Sequence, residues 1–467
     1  MSSKCHWRVG VVFLNWAATA ANQENSMYVI IQPKPLAGGI DAVASKSMAH
    51  RLLILAAICP SATDIDCGTT SADIDATIAC LEALGAHITR TRRGFRVSPI
   101  AADSSNTADH GSRPLLDCGE SGSTLRFLLP VVCALGRKAC LTGHGRLAQR
   151  PLSPLYEQIC SHGCHLSQKG SFPLCASGQL QSGRYVFPGN ISSQFVSGLL
   201  LAAPLLSERT KIFVEQPIQS APYIRLTIDA LATFGVRVRI SEEIMRGSSY
   251  RCYAIDGKPH MSVPKAARVE GDWSNAAFWL AAGAIGGKPV TVRGLDLQSF
   301  QGDRMILAAL ARFGARIERR PHTVSVSGAQ LWGQTFDVAD FPDLVPPLAA
   351  VAAFAQGTTR LTHAGRLRLK ESDRLVTVSE ALSRLGVKAA ITGDDDLVIE
   401  GSPALSGGIV DAANDHRIAM MAAIIAAYAQ AATKICGAQC VAKSYPAFFD
   451  DFAALGGQVA LHNREEV

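Results

Sequence analysis

Aromatic residues make up only 6% of the chain and charged residues 18%, and the formal net charge over 467 residues is +6. Binding to a nucleic-acid strand needs a basic groove and aromatic stacking platforms. The sequence has no basic run and no aromatics interleaved with one, which excludes a nucleic-acid partner and leaves a small anionic molecule compatible. Long apolar runs are missing as well. They reach about a dozen residues, short of the roughly 20 that a membrane helix needs. The 13 cysteines are odd in number and scattered through apolar runs such as LLPVVCALG and RLLILAAIC. That usage predicts a reduced, cytosolic protein and not a disulfide framework. The densest group, CSHGCH at Cys160–His165, fits no four-ligand zinc spacing, so no metal is expected. Apolar residues are plentiful, at 48%, enough for sizeable cores in two or more domains.

At the start of the chain, Lys4 and Arg8 precede VGVVFLNWAATAA, which has the outline of a signal peptide. Its apolar core is short and broken by Asn15. Met27 is followed at once by the strand-like YVIIQP. Residues 1–26 are therefore read as an extension outside the fold.

An amphipathic helix that ends in glycine and runs into a strand occurs six times. The copies are LEALGAHI around Gly85, YEQICSHGCHL around Gly163, IDALATFGVRV around Gly235, LAALARFGARI around Gly314, EALSRLGVKA around Gly386 and FAALGGQV around Gly456, about 70–80 residues apart. A glycine in the left-handed conformation closes such a helix, and regular recurrence marks a repeated supersecondary unit. A second helix type recurs once per unit: SKSMAHRLLILAA, GESGSTLRFLLPVV, GNISSQFVSGLLLAAPLL, GDWSNAAFWLAAGAI, DFPDLVPPLAAVAAFA and DAANDHRIAMMAAIIAA. These runs are apolar all round and should be buried. Their leading Ser, Asp, Asn and Gly are capping residues, and capping alone explains any one of them. Six buried helices that aim their N-termini at shared space would make a strong anion site. Lys46, Arg51, Arg126, Asp343, His416 and Arg417 also exceed what caps require.

The stretch LRLKESDRL, Leu367–Leu375, packs five charges into nine residues. Leu375, Val378, Leu382 and Leu385 form one apolar stripe, which predicts a helix from near Ser372. Lys370, Glu371 and Arg374 then fall in the entry loop and first turn, with Arg368 a solvated charge and Asp373 a first-turn acid.

The ordered series SKSMAHR, GESGSTLR, QRP, SSQF, SAPY, GDWSNAAF, FPDLVP, LKESDR, NDHRIAM, AKSYP resembles the 5-enolpyruvylshikimate-3-phosphate synthase family, from about Pro33 to about Gly457. The resemblance implies an α/β protein with two pseudo-symmetric domains. Each has three βαβαββ-type repeats with buried parallel helices, the enolpyruvyl transferase fold. The expected domains are residues 45–268 and residues 27–44 plus 269–467, with the active site in the cleft between them. It also implies transfer of the enolpyruvyl group of phosphoenolpyruvate to the 5-hydroxyl of shikimate 3-phosphate in the shikimate pathway. No metal, cofactor, nucleic-acid or membrane partner is implied, and a cytoplasmic monomer is expected.

Site residues follow by position in the motifs. Ser47 and Arg51 are expected on the shikimate carboxylate, and Ser192, Ser193 and Ser220 around the 3-phosphate. Gln194 is expected beneath the ring, touching both substrates, with Tyr223 and Lys370 beside it. Lys46 is expected between the substrates. Gly122, Arg150, Arg374, Arg417 and Lys443 match phosphoenolpyruvate contacts. Asp343 matches the base for the 5-hydroxyl and Glu371 the proton donor to the methylene, with Lys46, Lys443 and His416 completing the catalytic group. Glu120, Ser123 and Arg366 depart from the family pattern, and Glu120 and Arg366 are not carried over as ligands. Two rival readings are the sister transferase that uses UDP-N-acetylglucosamine and a non-catalytic anion-binding protein. The first usually carries a cysteine where this chain has Gly145. The second would have no use for acids among its cations.

Overall fold

All six repeat glycines, Gly85, Gly163, Gly235, Gly314, Gly386 and Gly456, hold positive φ, from 78° to 109°. After five of them the next residue's N–H reaches back into the last helical turn. Ala86 bonds to Leu81, Val236 to Leu231, Ala315 to Leu310, Val387 to Leu382 and Gly457 to Phe452. This pattern closes the helix and sends the chain off as a strand. The protein is seen here in a computed structural model that describes residues 27–101 and 113–463. The extension expected over residues 1–26 lies outside the described residues.

One unit shows the plan. Strand Leu115–Asp117 leads into helix Gly122–Ala134, strand Ala139–Thr142, helix Leu155–Ser161, and the hairpin of Cys164–Leu166 with Leu174–Gly178. The first two strands are parallel, Leu115 facing Cys140. The last strand of the hairpin then pairs antiparallel with the second. The spatial order is therefore first, second, fourth, third. All six four-stranded sheets repeat it.

Two of these sheets borrow strands from the start of the chain. Tyr28–Gln32 completes the sheet of Thr433–Cys436 and Gln458–His462, and Gly38–Asp41 begins the sheet of Val290–Arg293. Conversely, Ala267–Arg268 begins the sheet of Thr63–Asp66. There are accordingly two separate apolar cores. One runs from Met48 to Val269, and the other joins Val29–Val43 to Trp273–Leu455. The chain crosses between them twice, side by side. The Ser45 N–H donates to the Glu270 carbonyl at 2.8 Å and the Asp272 N–H to the Val43 carbonyl at 2.9 Å.

The central helices are buried on every side because they carry little but Ala, Leu, Ile and Val. Close approach is enforced at single points. A Cβ on Gly198 would run into the carbonyl oxygen of Arg126, so glycine lets helix Ser193–Ala202 lie against helix Gly122–Ala134. No described helix is long and apolar enough to cross a membrane.

One cysteine expectation is corrected. Cys140 and Cys175 face each other on adjacent antiparallel strands and form a disulfide. Ten other cysteines among the described residues are free. Scatter along the sequence hid a pair that strand register brings together.

Candidate active site

All six central helices point their N-termini into one cleft between the two cores. Its walls include Lys46 and Ser47 from the first helix, Gly122 and Ser123 from the second, and Ser193 and Gln194 from the third. Asp272, Ser274 and Asn275 come from the start of the fourth, Asp343 from the entry to the fifth, and His416 and Arg417 from the sixth. Five of these helices are capped by their own side chains, Ser45, Ser121, Ser192, Asp272 and Asp415, each accepting a backbone N–H of the first turn. The exception is Val345–Ala352, which is entered through a 3-10 turn, Pro342–Leu344, and has no side-chain cap. Asp343 is thereby left free to face the cleft. Each helix end still presents unpaired N–H groups and a partial positive charge.

Two buried arginines on the first side have no carboxylate partner among the described residues. Arg51 donates to Thr227 Oγ1 at 2.8 Å, the Ser47 carbonyl at 2.6 Å and the Tyr223 carbonyl at 3.0 Å. Burial pulls its guanidinium down to about 9, so it remains charged at neutral pH. Arg126 donates to Gln194 Oε1 at 2.7 Å and to the Pro151 carbonyl at 2.8 Å, while its Nε finds no partner. Gln194 in turn donates to Ser123 Oγ at 2.9 Å. Buried cations without counterions are costly unless an anion arrives. Lys46 is held differently, 2.7 Å from Asp73.

The second side is a tight network of opposite charges. Arg374 is 1% exposed and carries three carboxylates. Asp415 meets its Nε at 2.9 Å, Asp343 its NH1 at 2.8 Å and Glu371 its NH2 at 2.6 Å. Lys370 lies 3.0 Å from Asp343, Arg417 donates to the Asp343 carbonyl at 3.1 Å, and Arg150 stands 3.5 Å from Glu371. Burial pushes the Glu371 carboxyl up, but Arg374 and Arg150 outweigh it and hold it well below the usual range. Asp343 behaves alike, with Lys370, Arg417 and Arg374 outweighing burial. Both acids are ionised at neutral pH. His416 is the reverse case. Burial, with Lys46 and Arg417 nearby, drives its imidazole well below the usual value, and among the described residues neither ring nitrogen has a hydrogen-bond partner. It is neutral.

Tyr223 joins the two sides. Its hydroxyl lies 3.0 Å from Asp303 Oδ2 and 3.3 Å from Asp343 Oδ2. Asp303 also accepts from the Ser274 hydroxyl, and its Oδ1 is buried without a partner. Burial first, then the charge of Asp343, lift its carboxyl to about 6.

Among the expected residues, Lys46, Ser47, Arg51, Gly122, Arg150, Ser192, Ser193, Gln194, Ser220, Tyr223, Asp343, Lys370, Glu371, Arg374, His416 and Arg417 all line this cleft. Lys443 is not in the lining. It is tied to Glu120 at 2.8 Å, although the neighbouring Ser444 reaches the cleft. Helix Arg374–Arg384 begins two residues later than expected, and Asp373 is its cap, accepting from the Val376 N–H. Arg368 pairs with Asp373 and Asp395. Arg366, set aside as a ligand, lines the cleft and donates to Ser220 Oγ at 2.6 Å. Asp73, Arg126, Ser274, Asn275 and Asp303 were not among the expected ligands. Arg126 had a sequence signal, one turn after Gly122 on the same helix face. Asp303 had none, because it stands behind the lining and its 3-10 turn meets Tyr223 and Ser274 only through tertiary packing.

The model of the EPSP synthase (3-phosphoshikimate 1-carboxyvinyltransferase) family matches residues 30–452. Relatives include the 3-phosphoshikimate 1-carboxyvinyltransferase of Clostridium kluyveri, 40% identical over 433 residues, covering 92% of this chain and 98% of that protein. That of Clostridium acetobutylicum is 36% identical with the same coverage. An EPSP synthase structure from Acinetobacter baumannii matches with a TM-score of 0.74 at 24% identity, over 94% of this chain and 100% of that one. The enolpyruvyl transferase NikO from Streptomyces tendae matches with a TM-score of 0.71 at 18% identity, over 94% and 100%. These two structures share the fold.

Proposed function

The chain belongs to the EPSP synthase family, and from that premise we propose how its cleft performs 3-phosphoshikimate 1-carboxyvinyl transfer. The reaction moves the enolpyruvyl group of phosphoenolpyruvate to the 5-hydroxyl of shikimate 3-phosphate. The hydroxyl oxygen bonds to C2 of the donor as a proton adds to C3. The adduct then loses a C3 proton, taken back by the carboxylate that supplied it, while its C2–O bond to phosphate breaks. The double bond is restored, and phosphate leaves with the electron pair.

One observation carries the assignment. Six helix N-termini and the buried cations Arg51, Arg126, Arg374 and Arg417 share a cleft with two acids, Asp343 and Glu371. A site that only bound anions would gain nothing from those acids. We take the two cores as two domains, residues 45–268 and residues 27–44 plus 269–467, each supplying one wall. Arg51, Ser47 and the serines Ser192, Ser193 and Ser220 face the acceptor's carboxylate and phosphate, with Lys46, Gln194, Tyr223 and Lys370 beside them. Arg150, Arg374 and Arg417 hold the donor by bidentate contacts, Gly122 lets it approach the backbone, and Lys443 adds charge at its edge.

Asp343, already ionised, takes the proton of the 5-hydroxyl. Glu371 has the harder task, because in the empty cleft Arg374 and Arg150 keep it deprotonated. A donor carrying phosphate and carboxylate engages those arginines. Burial then dominates, the Glu371 carboxyl rises, and it takes up the proton that it delivers to C3. His416, neutral, lines the same cleft as Glu371 and completes the catalytic group.

Phosphate release measured with both substrates, with each alone, and with UDP-N-acetylglucosamine as acceptor tests this. Release that requires shikimate 3-phosphate is expected. No release, or release only with the nucleotide sugar, overturns it.

A further inference from the structure

Glu120 sits in the loop before helix Gly122–Ala134, beside the core of Met48 to Val269, yet its carboxylate binds the opposite half. Oε2 pairs with Lys443 Nζ at 2.8 Å, and both oxygens accept from the Asn414 side-chain amide at 3.0 Å. Lys443 also donates to the Asn414 carbonyl at 2.6 Å. The surroundings are shaped for this contact. Ala413 and Asn414 both take positive φ, 50° and 53°, a strained conformation for residues other than glycine. It sets Asn414 opposite Glu120, immediately before the Asp415 cap. On the other flank, a Cβ on Gly145 would lie 2.5 Å from Glu120 Oε2. Glycine there leaves the space that the carboxylate fills.

The ion pair spans the edge of the cleft and is mostly shielded, with side-chain exposures of 11% for Lys443 and 24% for Glu120. Lys443 is thereby kept out of the lining. We propose that Glu120 is a specificity-determining residue that competes with the donor's anionic groups for Lys443. This rests on the reading of Lys443 as a donor contact. A carboxylate tethered to the protein acts at high effective concentration. A ligand bearing both phosphate and carboxylate has the charge to displace it. Free phosphate, the product, has less. Glu120 therefore holds the donor below its attainable affinity and returns to Lys443 as phosphate departs. No covalent bond changes in this exchange.

The test is Glu120→Gln, which keeps the shape and the amide contact but removes the charge. The donor KM should fall about three- to tenfold, the scale of one partly shielded charge pair. Inhibition by added inorganic phosphate should tighten at least as much, and the acceptor KM should move less than about twofold. An unchanged or higher donor KM with unchanged phosphate inhibition overturns the proposal. Lys443→Ala, measured in parallel, separates the two claims. A raised donor KM in Lys443→Ala without tightening in Glu120→Gln defeats the Glu120 proposal alone. A donor KM and phosphate inhibition indifferent to Lys443→Ala defeat the reading of Lys443 beneath it, and this proposal with it.

Discussion

Asp303 shows how far a single buried carboxyl departs from its ordinary behaviour. It is 2% exposed, and burial followed by the neighbouring Asp343 charge lifts it to about 6, against about 3.9 in an unfolded chain. The folded protein therefore holds this proton where the unfolded chain has released it. The stabilisation is complete below about pH 4 and is lost as pH rises through about 6, a change of about 3 kcal/mol. Asp303→Asn cannot ionise and escapes the loss. Its unfolding free energy should gain on that of the original protein between pH 4.5 and 7.5 in urea melts, and a constant difference across that range counts against the assignment. Glu371 is shifted the other way, and the role proposed for it needs the shift reversed. Donor binding should then draw about one proton from solution, which calorimetry in buffers of different ionisation enthalpy detects. Glu371→Gln should bind the donor, lose the proton uptake and lose at least about a hundredfold in turnover. Near-normal turnover removes it from the mechanism.

The helices make these residues converge, and their ends were the most legible part of the sequence. Capping by Ser45, Ser121, Ser192, Asp272 and Asp415 and the left-handed glycines are local devices, set by residues a few positions apart. A reader of the chain alone can therefore find them. What stayed hidden depends on which helix faces which. The 3-10 entry that frees Asp343 replaces the cap that the other five helices have. Asp303 reaches Tyr223 and Ser274, which line the cleft, from a turn with no motif of its own. Lys443 matched a motif, yet its partner Glu120 lies 323 residues away. Helix ends also set tolerances. A Cβ on Gly122 would lie 2.8 Å from Arg150 NH1 and 2.9 Å from its Cζ. Gly122→Ala must move that guanidinium, which stands 3.5 Å from Glu371 through the same nitrogen. Because small misplacements at a reacting centre are expensive, the donor KM should rise about tenfold or more. The acceptor KM and the melting temperature should change little. An equal rise in both KM values points instead to general damage to the helix end.

The two halves meet almost wholly through polar contacts around a cleft full of charge. Among the described residues no apolar cluster spans them, since the two cores are separate. Bonds that cross include Arg366 to Ser220, the Ser220 N–H to Asp340, Tyr223 to Asp303 and Asp343, Arg150 to Glu371, the Lys46 N–H to Asp272, the Ala44 N–H to Thr69, and Glu120 to Lys443 and Asn414. The covalent link is two antiparallel segments bridged at Ala44 and Gly271, a narrow hinge with Lys46 and Asp272 just beyond it. Interfaces of this polarity permit relative motion. Across the cleft, Arg51 and Arg126 face Arg374 and Arg417, and six positive helix ends point at the same space. Like charges in a partly dry cleft repel by a few kcal/mol, so bound anions should draw the halves closer. Shikimate 3-phosphate should therefore contract the molecule, read as a fall in the radius of gyration by solution scattering. The contraction should be largest at low ionic strength. It should shrink toward 1 M salt, where screening acts over about 3 Å and the empty cleft no longer needs its ligand to close. A radius that is the same with and without the acceptor, at both salt concentrations, would mean that the hinge is rigid and the substrates enter a cleft of fixed width.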